Sequence, residues 1–231
     1  MKMQADIRML RHDADALACS VRNGAYALKT ERLDDRSHYG DMLLPSVLTL
    51  HGVPIVQMKT ALCPTCSGLL AAGYGLSTAD AGELSRISEA VNADFVGLAE
   101  SLEILKPLLG LLPDGIYLLR DTVVYPTDGE GRFFWAVPPE MTHYRAYSES
   151  IYSHETLTCV SADGRFLYPS QSPGRYSAER VQYYTERLQA GRNAPRAVAY
   201  HVLGGMSVLL DGHHKACAAA RLHIPLRCLV I

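Results

Sequence analysis

"VLLDGHHKACAAARLHIPLRCLVI" occupies residues 208–231, and the fold is decided by how this stretch is read. Its first residues, Val208 to Leu210, are apolar and suited to a strand. Asp211 and Gly212 interrupt that strand, and "HHKACAAARL" has the alanine-rich composition of a helix. After "HIP", "LRCLVI" reads as a final strand. A glycine between a strand and a helix start lets backbone approach a ligand closely, because no Cβ stands in the way. The first N–H groups of a helix have no partner within it, and the helix dipole favours an anion there. Two imidazoles and an ammonium beside those donors suit a phosphate. His213 or His214 can donate a hydrogen bond, and Lys215 brings a full positive charge. Asp211 either orients an imidazole or a metal, or caps the helix. The competing reading is a plain strand-to-helix turn with two exposed histidines.

Working outward, Ser177 can cap a helix over "AERVQYYTERLQA" (178–190), with Glu179 in its first turn and Gly191 as its stop. "RAVAYHVL" reads as a strand, Gly204-Gly205 as a tight turn and "MSVLLDG" as the partner strand. Further back, "GIYLLRDTVVYP" from Gly115 is a strand, and Asp128-Gly129 turns it toward "RFFWAV". "TLTCVSADGRFLYP" is predicted as a second hairpin, turning at Asp163-Gly164.

This order of elements, together with the box, resembles the ParB/sulfiredoxin-like superfamily. The members of that superfamily carry a Gly-x-His-Arg or Asp-Gly-His-His-Arg type box between a strand and a helix. The likeness runs from about Tyr168 to Ile231, a little more than a quarter of the chain. "SPGRYSAERVQYYTERLQAG" is similar to the family's Pro-x-Arg segment and first helix. The resemblance implies that Gly212, His213, His214 and Lys215 hold nucleotide phosphates, with Asp211 beside them and Arg175 as a further phosphate contact. It implies an α+β fold: a ParB/sulfiredoxin-like mixed-sheet domain over residues 114–231. Of the two histidines the likeness points to His214, because the box varies in the position before it.

The chain departs from the family in three places. Lys215 stands where Arg is usual, so a bidentate fork is replaced by a point charge. Neutral Gln171 occupies roughly the place of the acidic residue that precedes the first helix in the serine kinases, and an amide cannot take a proton from a hydroxyl. His213 stands where the sulfur-repair enzymes have their box cysteine; Cys217, one turn along, reads as a small core residue. The activities found on this fold are diverse, so fold alone does not fix function.

Residues 1–113 are expected to form a mainly helical N-terminal region. Leu84, Ile87, Val91, Phe95, Leu98, Leu102 and Leu105 follow steps of three and four, one stripe down a long helix that Pro107 ends. That stripe is a core face or a dimer face, which makes a second copy of the chain a candidate partner. Cys63-Pro64-Thr65-Cys66-Ser67-Gly68 has the shape of a zinc-ribbon knuckle, and Cys63 and Cys66 are candidate ligands of a structural Zn²⁺. One knuckle supplies two ligands of the four required. An inert reduced pair ranks second and a redox pair third, because Gly73 and Gly75 cut short any following helix. "GLLAAGYG" lacks the Lys-Ser/Thr ending of a phosphate loop.

Composition narrows the classes. The net charge of −2 removes any overall basic field, so nucleic acid is not a favoured partner. Charges at Asp6, Arg8, Arg11, Asp13 and Asp15 break the N-terminal segment, which lacks the apolar core of an export signal. No stretch approaches the roughly 20 apolar residues of a membrane span. Six cysteines without such a signal are expected to be reduced thiols in the cytoplasm. The leading expectation is a nucleotide-handling enzyme that takes ATP or ADP with Mg²⁺ and transfers or releases a phosphoryl group, its catalytic base unassigned. A non-catalytic nucleotide- or nucleic-acid-binding module is the alternative, and a nuclease comes third.

Overall fold

The computed structural model describes residues 4–32, 43–61, 69–72, 87, 90–126, 156–159, 166–171, 176–191, 195–202, 206–222 and 224–231. It is an α+β structure, dominated by two sheets. Strands β1 (Asp6–His12), β2 (Ala16–Arg22), β7 (Gly115–Pro126), β9 (Phe166–Pro169), β10 (Ala197–His201), β11 (Met206–Asp211) and β12 (Leu226–Val230) form the first, seven-stranded sheet, in the order β1-β2-β7-β12-β10-β11-β9. The end of β7 also pairs with β9, Tyr125 opposite Phe166, so five strands from β7 round to β9 close into a ring. Strands β3 (Leu28–Arg32), β4 (Leu43–Leu50), β5 (Val53–Ala61), β6 (Leu69–Ala72) and β8 (Thr156–Cys159) form the second sheet. The helices are α1 (Leu98–Leu109), α2 (Ala178–Gln189) and α3 (His213–Arg221). No helix among the described residues is long and apolar enough to cross a membrane.

The segment that opened the reading folds as expected. β10 and β11 pair antiparallel, with Ala199 opposite Leu209, while β10 and β12 run parallel; the Gly204-Gly205 turn lies outside the described residues. Ser177 caps α2, its Oγ accepting the Arg180 N–H at 3.3 Å, and Gly191 takes a positive φ of 65° just past the helix end.

Among the described residues, the N-terminal region is not mainly helical. Its described residues hold six strands and α1, with Ile87, Ala90 and Val91 also helical. The alternation was present in the sequence: along β2, Leu17, Cys19 and Val21 are buried and the intervening residues less so. β4 and β5 form a hairpin whose turn residues, His51 and Gly52, both have positive φ (51° and 79°). Two positive φ values are the geometry that Asn-Gly usually supplies, so His-Gly hid the turn. Strands from both sides of residue 113 share each sheet, since β1 and β2 join β7, and β6 pairs with β8.

Two further expectations are corrected. The helical stripe is interrupted at residues 92–97, where α2 holds the chain in place of an i→i−4 ladder. Asn92 Oδ1 accepts from the Tyr184 hydroxyl at 2.7 Å, and Asp94 pairs with Arg187. Pro107 sits inside the last turn of α1 rather than ending it. The hairpin at Asp163-Gly164 is not formed: β8 pairs with β6 in one sheet, and β9 with β11 in the other.

Ile87, Val91, Leu98, Leu102 and Leu105 all enter one core, with Leu17, Leu28, Leu48, Leu119, Val208 and Leu229 from both sheets. Burial of that many large aliphatics, each worth roughly 1.5–3 kcal/mol, makes this core the main source of cohesion. On the opposite face of the ring, Ala216 and Ala219 of α3 pack on Ala197, Ala199, Leu209 and Cys228. Alanines let this helix lie close to the strands. The start of α3 is thereby fixed at the C-terminal end of β11.

Candidate functional site

Gly212 opens α3 with φ 98°, ψ 26°, a left-handed conformation that glycine alone adopts at low cost. It is also jammed against β10: a Cβ there would lie 2.7 Å from the Ala197 Cβ and 3.0 Å from its Cα. Strand packing therefore demands this glycine, whatever approaches from solvent. No side chain caps α3, and its first turn contains no acid. Asp211 does not serve as the cap; its carboxylate lies 3.8 Å from the Lys215 ammonium.

The two histidines point to different places. His213 is 5% exposed, and its Nε2 accepts the backbone N–H of Ser170 at 3.2 Å. The Ser170 hydroxyl donates to the Leu209 carbonyl, tying the end of β9 to β11. Burial, with the adjacent His214, pushes the His213 imidazole down to about 3, so it is neutral at physiological pH. His214 is half-buried, and its Nε2 accepts the Ser177 N–H at 3.0 Å. Burial and then the charge of Arg180 lower its pKa, against a smaller opposing pull from Asp211. The Tyr176 ring tilts against both imidazoles, with centroids 6.0 and 5.8 Å away, and its hydroxyl donates to the Gln171 carbonyl at 2.9 Å.

Lys215 is turned inward. It is 1% exposed, and its ammonium donates to the Arg196 carbonyl at 2.8 Å and sits 5.6 Å from the Tyr184 ring centroid. Desolvation draws its pKa down to about 8 despite the opposing carboxylate of Asp211. The Arg196 guanidinium in turn grips Asp121 at 2.8 and 3.0 Å and stacks on Phe95 at 4.1 Å. The exposed ammonium that the sequence led one to expect is a buried brace between α3 and β10.

The structure thus brings Asp211, Gly212, His213, His214 and Lys215 to one end of the ring, facing the segment that leads into α2. Arg175 lies outside the described residues, as do Cys63 and Cys66. Among the described residues no three His, Cys, Asp or Glu side chains are grouped to hold a metal ion. Sequence reasoning missed Ser170, which fixes His213, and did not foresee that the Ser177 cap also donates to His214. "YPSQSPGRYS" holds both serines, but only the fold shows that Ser170 and Ser177 both lie against the start of α3.

Through Ser177 and His214 the first turns of α2 and α3 meet directly. The positive dipole ends of two helices are thereby brought close together, a setting that favours an anion. Arg180 of α2 adds a cation close enough to act on both His214 and Lys215, while Glu179 is turned to the Ser177 hydroxyl at 2.5 Å. Protein-family models, curated proteins and solved structures provide no match to this chain.

Proposed function

We propose that the chain binds a phosphate-bearing small molecule, with a nucleotide such as ATP or ADP as the leading class, at the start of α3. The observation that carries this reading is the meeting of two helix N-termini through Ser177 and His214, with Arg180 beside them. Backbone N–H groups of the α3 first turn are the donors, His214 is the side chain at the mouth, and Lys215 acts from within by holding α3 on β10. The strand ring with α2 and α3 on it supports the ParB/sulfiredoxin-like reading of residues 114–231. Mg²⁺ would arrive with the nucleotide, and Asp211 is the carboxylate within the turn itself.

Binding without catalysis is the reading the geometry favours. Gln171 is neutral, and both imidazole Nε2 atoms already accept backbone N–H groups, so neither can take a substrate proton at that atom. Titration calorimetry with ATP, ADP, CTP and GTP, each with and without Mg²⁺, tests this. Wild type should bind at least one of them, and His214→Ala should weaken it about tenfold, as loss of a positioned contact to a charged group does. His213→Ala should act through stability instead. Absence of binding by any nucleotide, or equal affinity in wild type and His214→Ala, removes the proposal. Phosphate release or a phosphorylated product above background would restore the phosphoryl-transfer reading.

A further inference from the structure

The face of the seven-stranded sheet that carries α3 is only partly covered by it. Ala197, Ala199 and Cys228 lie under the helix, but further along, Ile116, Leu118, Arg120 and Thr122 of β7 line an open cleft with His201, Ser207 and Val230. Its volume is about 590 Å³, within the range of small-molecule sites. Sequence makes the trough. Ile116, Leu118 and Arg120 stand opposite Ser20, Ala18 and Ala16 of β2, and these small residues leave the larger β7 side chains unpacked on one flank. Ile116 is 75% exposed and Leu118 48%, an unusual state for two aliphatics on one strand.

The second observation is polar. Ser207 is 1% exposed and lines this cleft, yet among the described residues its hydroxyl has no hydrogen-bond partner. A buried hydroxyl left unpaired is unfavourable, and such a group commonly marks a missing ligand or water. Among the described residues that line the cleft, Ile231 among them, no side chain is a carboxylate, and Arg120 is the full cation. The Arg120 partner is Asp15 at 3.7 Å, both exposed, a pair weak enough to yield to a better anion.

We propose that this cleft binds a small amphipathic carboxylate, its anion on Arg120 with Thr122 and Ser207, its apolar tail over Ile116, Leu118 and Val230. The site is separate from the start of α3, and its occupant need carry no phosphate.

The probe is octanoate, with 1-octanol as the uncharged control, followed by amide chemical shifts in the full chain. Octanoate should saturate with a Kd on the order of 1 mM or tighter, its shifts confined to β7, β10, β11 and β12. Octanol should bind about tenfold more weakly, and Arg120→Gln should weaken octanoate by a similar factor. Ser207→Ala should cost about threefold, and Leu118→Trp, an exposed position, should block binding while the thermal midpoint holds. Failure to saturate at about ten times that concentration overturns the proposal. Equal affinity for octanoate and octanol, or an unchanged Kd in Arg120→Gln, also overturns it. Binding that persists in His214→Ala and is not displaced by nucleotide keeps this result distinct from any at α3.

Discussion

The ammonium of Lys215 donates to the carbonyl of Arg196 across 2.8 Å, so the residue that looks most like a ligand contact is one of the most deeply buried in the chain. Lys215→Ala should therefore act first on stability. It removes a packed stem and leaves both the Arg196 carbonyl and the Asp211 carboxylate without their cation, a loss on the order of 3 kcal/mol. Lys215→Met, which keeps the stem, should cost clearly less. Urea denaturation checks both, and the loss should change little between low and high salt because a buried pair is poorly screened. A Lys215→Ala protein of wild-type stability would contradict the brace.

Gly212 gives a second expectation. From sequence alone, Gly212→Val would be expected to block a ligand while leaving the fold intact; the packing against Ala197 reverses this. Gly212→Ala should already destabilise by about 2–4 kcal/mol, combining left-handed strain with overpacking. Ala197→Gly in the same chain should recover part of that loss, since it removes the atom 2.7 Å away. A thermal melt of the three variants measures it. No recovery in the double variant would place the cost elsewhere.

His213 sets an acid limit. Its folded pKa, about 3, lies below the ordinary 6.5, so the unfolded chain binds the extra proton first as pH falls. Its contribution to stability is complete above about 6.5 and is lost as pH drops from there toward 3, at about 1.4 kcal/mol per pH unit in the steep part. His213→Gln, which can still accept the Ser170 N–H, should lower the stability at pH 7 but flatten its fall between pH 6 and 4. Parallel curves for wild type and variant would show that His213 does not titrate with folding.

How much of this was legible beforehand follows the physics of each element. The last third carried strong local signals: Ser177 at a cap, Gly191 at a helix end, and strands bounded by glycine. The hairpins of the first third were hidden, because His51-Gly52 is a rare turn pair and because β1 is charged along an exposed edge. The break at residues 92–97 depends on Tyr184 and Arg187, about ninety positions away, and no local pattern could have announced it. At the site, the box named the right five neighbours but not their directions. Which imidazole faces outward, and that Lys215 faces inward, depend on Ser170, Ser177 and Arg196, residues that only the closed ring brings to the box.

Strand β7 is the common partner of β2, β12 and β9, with Leu119 opposite Leu17 and Asp121 opposite Leu229. β2 and β12 are separated from it by about a hundred positions on either side and β9 by about forty, so none of the pairings of β7 forms through nearby contacts. Such long loops must close before their pairings repay the lost entropy, which places the chain among slow folders, on the millisecond-to-second scale or longer. The order of synthesis sharpens the point. A nascent chain that stops short of Leu226 has β7 and β10 made but lacks β12, the strand that joins them, and α3 then has no finished surface to settle on. The turn at 211–215 thus has its full support only once β12 is in place, and its integrity reports on whether the ring has closed.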